Sequence, residues 1–303
     1  TVRGNRNWMT SRFASLKKGE LAMLVRENGI KKQAAPEPHD RRKRRTLPEG
    51  EPIPFLIALG VMTPEGKVVK AKYDKFRQIN RFLEMVADVV PDLPKGKPLT
   101  IVDFGCGKSY LTFALYHYLA IEERLPVRIV GLDLKKDVIE ACAKLAAELN
   151  WDGLTFSVGD ISDFKGHDTV DMVVTLHACD TATDAALLQA IGWEASVILS
   201  VPCCQHELFR QISQPVLQPL LKHGILKERF AALATDAIRA NLLELAGYRT
   251  QLLEFIDLEH TPKNILIRAV KGRKGDVAGL KAEYERFRDF LSASPFMESN
   301  RNN

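Results

Sequence analysis

The stretch LTIVDFGCGKSYLTF, residues 99–113, decides the fold of this 303-residue chain. Its apolar first half predicts a buried β-strand, and the two glycines that follow predict a tight turn. The residues after the turn show helical spacing of apolar side chains. Glycine-rich turns between a strand and a helix bind phosphate groups, dinucleotides or other nucleoside-containing cofactors, so the turn also points to function.

Two common glycine motifs fit this turn poorly. The phosphate-binding loop GxxxxGK[ST] needs a glycine at position 102, where the chain has Val102 inside the predicted strand. The dinucleotide fingerprint GxGxxG is met by Gly105 and Gly107 but fails at its third glycine, where Tyr110 stands. The sequence therefore disfavours a phosphate-binding loop. It also gives less support to a dinucleotide site, although that interpretation stays open.

Strand and helix patterns alternate from residue 99 onward. This alternation predicts a mostly parallel α/β sheet with helices on both faces. The last two strands are joined by the short loop EHTPKN, which leaves no room for a crossover helix, so they must be antiparallel. We predict strands at 99–104, 127–133, 154–159, 171–176, 196–201, 249–256 and 264–270, helices at 109–121, 136–149 and 182–191, and a longer helical region at about 206–246.

Three acids stand at the ends of successive predicted strands: Asp103, Asp133 and Asp160. With the turn Asp103-x-Gly105-x-Gly107 and the terminal hairpin, residues 75–271 resemble class I S-adenosylmethionine-dependent methyltransferases. The resemblance implies a Rossmann-like seven-stranded sheet and S-adenosylmethionine as cofactor. One departure is Ser109, where that family often has a third glycine. The implied cofactor-binding residues are Asp103, Gly105, Cys106, Gly107, Ser109, Asp133, Leu134, Asp160, Ile161 and His177.

Two further stretches narrow the resemblance. LHACDTATD after the fourth strand and SVPCCQHEL after the fifth are similar to a little-characterised methyltransferase-domain family. Its members include a eukaryotic protein with a glutathione-transferase-like C-terminal domain. The Asn-Pro-Pro-Tyr and Asp-Pro-Pro-Tyr motifs of many adenine amino methyltransferases do not follow the fourth strand, which disfavours that acceptor.

The acceptor pocket should lie at the carboxyl ends of the strands, where ligands bind in doubly wound sheets. The loops there carry many polar side chains: His177, Cys179 and Asp180, then Cys203, Cys204, Gln205, His206 and Glu207, then Glu259, His260, Lys263 and Asn264. We take His177, Cys203, His206 and His260 as catalytic candidates, with a histidine serving as general base.

Other interpretations of these residues stay open. RNA cytosine-5 methyltransferases use a cysteine nucleophile after strand five and Pro-Cys after strand four, but this chain has Pro-Cys-Cys after strand five. His177, Cys179, Cys203 or Cys204, and His206 could form a zinc site, although they lack finger spacing. Each cysteine could also be a small core residue, Asp180 a helix cap, and His206 and Glu207 ordinary first-turn residues.

The positive charge is concentrated at the start of the chain. Residues 1–48 hold thirteen Lys and Arg against four Asp and Glu, whereas the whole chain carries +5. Such a segment is either a solvated tail or an arm that binds the phosphates of a nucleic acid. We expect RNA, ribosomal or transfer, to bind through Arg41, Arg42, Lys43, Arg44 and Arg45. A protein methyltransferase, or an RNA-associated protein that binds the cofactor without catalysis, is the alternative.

We expect four regions along the chain. Residues 1–52 form a basic extension with a helix at 8–29 and a linker. Residues 53–98 form a short hairpin and an amphipathic helix at 74–90, residues 99–272 the cofactor-binding domain, and residues 273–303 a C-terminal helix and tail. The chain has no apolar run of membrane-spanning length and no secretory apolar core, and its five cysteines show no disulfide-like spacing, so we expect a cytoplasmic protein.

Overall fold

A single seven-stranded sheet organises the protein. The computed structural model describes residues 46–159, 169–176, 178, 180–255, 265–273 and 275–301. Its strands are β1 (Leu99–Phe104), β2 (Val127–Asp133), β3 (Leu154–Val158), β4 (Met172–Thr175), β5 (Val197–Ser200), β6 (Tyr248–Glu254) and β7 (Ile265–Lys271). They lie in the order β3-β2-β1-β4-β5-β7-β6, with β7 antiparallel to both β5 and β6 and the other pairs parallel. The predicted seven-stranded sheet, mostly parallel with an antiparallel terminal hairpin, is confirmed.

Helices cover both faces of the sheet. In the described part of the chain they are α1 (Pro54–Ala58), α2 (Tyr73–Val89), α3 (Tyr110–Tyr116), α4 (Lys136–Glu148), α5 (Thr181–Gly192), α6 (His206–Gln211), α7 (Gln218–Leu221), α8 (Gly224–Leu245), α9 (Val277–Leu291) and α10 (Phe296–Ser299). A π-helix continues α3 over His117–Glu122. None of these helices is long and apolar enough to cross a membrane.

Alternate residues of the central strands point into two separate hydrophobic cores. In β1, Ile101 packs into a core shared with α1 to α4, whereas Val102 packs into a core shared with α5, α6 and α8. Because both faces are covered, the central parallel strands β1, β4 and β5 are buried almost throughout and mostly apolar, which is why their positions could be predicted from the sequence. Buried Phe76, Ile79 and Leu83 place α2 on the first of these cores.

One secondary-structure prediction is wrong. The predicted hairpin after residue 53 is not a hairpin: its first half contains α1, and only Met62 and Val68 form a bridge. Pro54 at the first helical position favours this helix, because its ring presets a helical φ. The predicted helical region at about 206–246 consists of three helices, α6, α7 and α8, and Pro215, which lacks a backbone N–H, begins a 3₁₀ turn between α6 and α7.

Candidate functional site

The glycine turn follows β1 in the chain and lies against the end of β2. Gly105 and Gly107 have φ values of +69° and +51°, a conformation that costs glycine little. The N–H groups of Gly105 and Cys106 donate to the carbonyl of Leu132 at 2.9 and 3.0 Å. Ser109 also has a positive φ, +56°, immediately before α3. The turn is therefore held against the end of β2 by main-chain hydrogen bonds.

Asp133 orders this edge of the site. Its Oδ2 accepts a hydrogen bond from the Gly107 N–H at 2.9 Å, and its Oδ1 accepts one from the Lys135 N–H at 3.0 Å. A carboxylate has about four acceptor positions, so two remain for the hydroxyls of a ribose. Leu134 follows with 69% of its surface exposed, and Val158 at the end of β3 is 50% exposed. Exposed apolar side chains beside an oriented carboxylate suit a nucleoside.

Asp103 differs because it is buried. The hydroxyl of Thr112 in α3 donates to Asp103 Oδ2 at 2.6 Å, which favours the carboxylate. Burial has the larger effect and raises the pKa of Asp103 to about 7, with the charge of Asp133 adding to the rise. The side chain can therefore gain or lose a proton near neutral pH.

Two thiols pack beneath the turn. Cys142 Sγ lies 3.5 Å from Ser109 Oγ and 3.8 Å from the carbonyl oxygen of Gly107. Burial raises the pKa of the Cys106 thiol well above its usual range, and it also raises that of Cys142. Both stay protonated at neutral pH and serve as small packing groups rather than nucleophiles.

The loops after β4 and β5 meet beyond the sheet. Cys203 Sγ lies 3.8 Å from the carbonyl oxygen of Ala178, so the two loops are in contact. His206 is exposed at the first position of α6. The candidates His177 and His260 lie outside the described residues, as do Cys179, Glu259, Lys263, Asn264 and the cofactor-site predictions Asp160 and Ile161. The catalytic assignments stay predictions.

Asp180 links the same loops in a way the sequence did not indicate. It precedes α5, as a capping residue would, but its side chain accepts no hydrogen bond from the N–H groups of that helix. Instead Asp180 Oδ1 accepts a hydrogen bond from the N–H of Glu207, in the first turn of α6, at 3.2 Å. A carboxylate here also complements the positive end of α6.

A buried arginine ties these loops to α8. Arg239, 1% exposed, donates from Nε and Nη2 to the two carboxylate oxygens of Asp184 at 2.7 and 3.1 Å. Its Nη1 lies 3.1 Å from Asp236 Oδ1, and its Nη2 also donates to the carbonyl of Asp180 at 2.9 Å. This network was missed in the sequence, where the signal was a charged pair, Asp236 and Arg239, inside an otherwise apolar helical pattern.

The network extends to the loop after β5 through a glutamine. Gln205 Nε2 lies 3.4 Å from Asp236 Oδ2, and Gln205 Oε1 is buried without a partner among the described residues. Burial raises the pKa of Asp236 to about 6, although Arg239 opposes the rise. The amide thus depends on a carboxyl group whose own environment is set by Arg239.

Gly131 in β2 is a second residue that the sequence analysis missed. A Cβ at this position would lie 2.6 Å from two ring carbons of Phe156 and 3.2 Å from Cys106 Sγ. A glycine is required there because Phe156 approaches the strand closely. An isolated glycine within a predicted strand is the signal that could have identified it.

A zinc site finds no support in the described part of the chain. No three of the His, Cys, Asp and Glu residues in that part are grouped as metal ligands. Two members of the proposed set, His177 and Cys179, lie outside it, so the zinc hypothesis itself stays untested.

Known proteins resemble this chain over its cofactor-binding part. Residues 74–211 match the model of a family described as a methyltransferase domain. A glutathione S-transferase C-terminal domain-containing protein of Xenopus laevis is 28% identical over 158 residues, which are 52% of this chain and 22% of that protein. The chain therefore spans less than a quarter of the length of that curated relative.

Solved structures similar to the chain include two methyltransferases. The plantazolicin methyltransferase BpumL in complex with SAH has a TM-score of 0.42 and 16% identity, and the match covers 67% of this chain and 88% of that one. Magnesium protoporphyrin IX methyltransferase from Synechocystis PCC 6803 has a TM-score of 0.38 and 17% identity, with coverage of 68% and 90%.

Proposed function

We propose that this chain, whose residues 74–211 form an S-adenosylmethionine-dependent methyltransferase domain, methylates RNA, ribosomal or transfer. The observation that carries the cofactor half of the proposal is the double backbone contact of Asp133. It presents a fixed carboxylate beside the glycine turn and the exposed Leu134. The proposal that the acceptor is RNA rests on the positive charge of the chain.

The described residues suit the parts of this cofactor. The cofactor supplies a methyl group on a sulfonium, and the chain must align an acceptor with it. Asp133 would hold the ribose hydroxyls, Leu134 would contact the adenine, and the glycines would let the main chain approach. Asp103 would face the amino-acid end. Asp160, Ile161 and His177 are proposed for the same site on the strength of the resemblance alone.

Positive charge supports a polyanionic acceptor. The segment 1–48 carries a net charge of +9, five of it in Arg41, Arg42, Lys43, Arg44 and Arg45. A second basic stretch follows β5: residues 208–235 contain Arg210, Lys222, Lys227 and Arg229 against the single acid Glu228. Three of these four cations are exposed: Arg210 on α6, Lys222 between α7 and α8, and Arg229 on α8. Contacts of this kind position RNA phosphates without specifying sequence.

Proton removal from the acceptor would fall to a histidine in the loops after β4, β5 and β6. His206 is the candidate that the described residues place at the surface, and His177 and His260 complete the set. Cys203, in contact with the β4 loop, is the candidate for a covalent route instead. The cytoplasm is the proposed compartment, because the spacing of the five cysteines suits reduced thiols.

The test supplies methyl-labelled S-adenosylmethionine to the full-length protein with RNA, or with protein, from cells that lack the gene. We expect label in RNA, and none with the variant Asp133→Ala, because that change removes hydrogen bonds to a charged group worth roughly 1.5–3 kcal/mol each. Label in protein alone would replace RNA by a protein acceptor. Failure of the wild type to bind S-adenosylmethionine in calorimetry would refute the proposal as a whole.

A further inference from the structure

Lys75, in the first turn of α2, is a half-buried cation near the first residue of α3. Its Nζ donates to the buried Gln78 Oε1 at 2.5 Å and lies 5.5 Å from the centroid of the Tyr110 ring. Among the residues that the structure describes, no carboxylate forms an ion pair with it. The neighbouring Asp74 pairs with Arg77 at 2.8 Å instead. A half-buried lysine without a carboxylate partner is available to bind an anionic ligand.

Lys75 lies close to where the amino-acid moiety of the cofactor is proposed to bind. Tyr110 is the first residue of α3, the helix that begins directly after the glycine turn. Two residues further on, Thr112 holds Asp103 at the end of β1. Lys75 and Asp103, one basic and one acidic, thus flank the first turn of α3.

We propose that Lys75 binds the carboxylate of the amino-acid moiety of S-adenosylmethionine, an inference that rests on the proposed function. The amino-acid moiety is a zwitterion, so its ammonium group suits Asp103 while its carboxylate suits a lysine. Gln78 and Tyr110 orient Lys75: the amide accepts one of its three N–H donors, and the ring face stabilises the cation. Two donors remain for a carboxylate.

The electrostatics of the site support this pairing. Burial lowers the pKa of Lys75, and the positive charge of Lys72 adds to the effect. Burial likewise raises the pKa of Asp103 to about 7. Each group therefore gains when a ligand brings an opposite charge against it. A charged lysine at this place also selects against cofactors whose nearest group is apolar or cationic.

The experiment measures binding of two ligands by calorimetry, so it needs no acceptor. One is S-adenosylmethionine, and the other is its decarboxylated analogue, which keeps the adenosine, the sulfonium and the amino group but lacks the carboxylate. The variants are Lys75→Met, which keeps the length of the side chain without its charge, and Lys75→Arg, which keeps the charge. Lys72→Ala is the control because it removes an exposed positive charge three residues away.

We expect Lys75→Met to weaken S-adenosylmethionine binding by about tenfold or more, since a charge-assisted hydrogen bond is lost. The analogue should bind this variant and the wild type with the same affinity, and Lys75→Arg should recover part of the loss. Lys72→Ala should change both affinities by less than about twofold. Thermal unfolding of each variant confirms that it is folded, and Lys75→Gln replaces the methionine variant if that one is not.

Two outcomes overturn the inference and can be told apart from each other. If Lys75→Met binds S-adenosylmethionine as the wild type does, or loses affinity equally for both ligands, Lys75 does not contact the carboxylate although the proposed function stands. If the wild type binds neither ligand, the proposed function itself fails, and this assignment fails with it.

Discussion

At the scale of single residues, Asp103 and Asp133 stand at the ends of neighbouring strands in very different surroundings. Asp133 is partly exposed and receives two backbone N–H groups, so it is an oriented acceptor. Asp103 is almost fully buried and receives one hydroxyl. The same residue type thus provides a fixed charge at one strand end and a titratable group at the other, because burial disfavours the ionised form.

The buried carboxyl group makes stability depend on pH. Asp103 has a pKa of about 7 in the folded protein, against roughly 3.9 in an unfolded chain. The folded state therefore binds more protons between these values, and this group's contribution to stability is lost as the pH rises from about 4 to 7. Asp103→Asn should remove that contribution. We expect the wild type to lose about 1–3 kcal/mol more than this variant between pH 5 and pH 8 in urea unfolding.

Asp236 also has a raised pKa, about 6, and produces a loss in the same direction in both proteins. Because both proteins contain Asp236, its effect cancels when the wild type is compared with Asp103→Asn. Parallel pH profiles for the two proteins would show that Asp103 is ionised throughout this range.

At the scale of elements, helix α8 holds the two loops that carry the acceptor-site candidates. Arg239 reaches Asp184 in α5 and the carbonyl of Asp180, while its neighbour Asp236 reaches Gln205 after β5. The ion pair is buried, so each charged group depends on its partner to compensate its charge. Removing one partner leaves a buried charge without compensation. This destabilises the protein more than replacing both partners by apolar residues would.

Arg239→Met should therefore destabilise the protein by about 3–5 kcal/mol in denaturant unfolding. The double variant Arg239→Met with Asp184→Leu should recover part of that loss, because it removes the stranded carboxylate. The matched control is Arg249→Met: Arg249 is 61% exposed and pairs with Asp92 at 3.3 Å, so we expect a cost of about 0–1 kcal/mol. Equal losses of unfolding free energy in the two arginine variants would mean that the buried network stabilises the protein no more than an exposed ion pair does.

At the scale of the whole molecule, charge is distributed unevenly along the chain. The first 48 residues carry +9 and the chain as a whole +5, so the remainder is about −4. The structure also shows where the basic part can be separated: Leu47 is buried, and its N–H donates to Asn80 Oδ1 of α2 at 2.8 Å. A truncation that spares Leu47 removes the whole excess charge, since residues 46–48 are uncharged.

Deleting residues 1–45 should weaken RNA binding and flatten its dependence on salt, because fewer counterions are released. Affinity for S-adenosylmethionine should stay within about twofold of wild type, since Asp133 and the glycine turn are untouched. Filter binding over a series of salt concentrations measures the first, and calorimetry the second. Identical salt slopes for the two proteins would identify the segment as a solvated tail.

Much of the fold could be predicted because its signals are local. Strands buried on both faces are short apolar runs, and the short EHTPKN connection requires the last two strands to be antiparallel. The run IPFLIALGV shows the limit of this reasoning: an apolar run alone does not separate a strand from a helix, and the segment contains α1. In the same way, the apolar pattern of 206–246 did not reveal that the helical region is interrupted between Gln211 and Gly224.

The sequence by itself determined the sheet, the glycine turn and the acids at the ends of its strands, since each is encoded within a few neighbouring residues. Only the tertiary structure decided what surrounds those residues. The contacts of Arg239 with Asp184, of Asp180 with Glu207 and of Lys75 with Tyr110 join positions 27 to 55 residues apart. The same holds for the pKa of Asp103, because burial depends on how helices pack over the strand and not on the residues beside it in the chain.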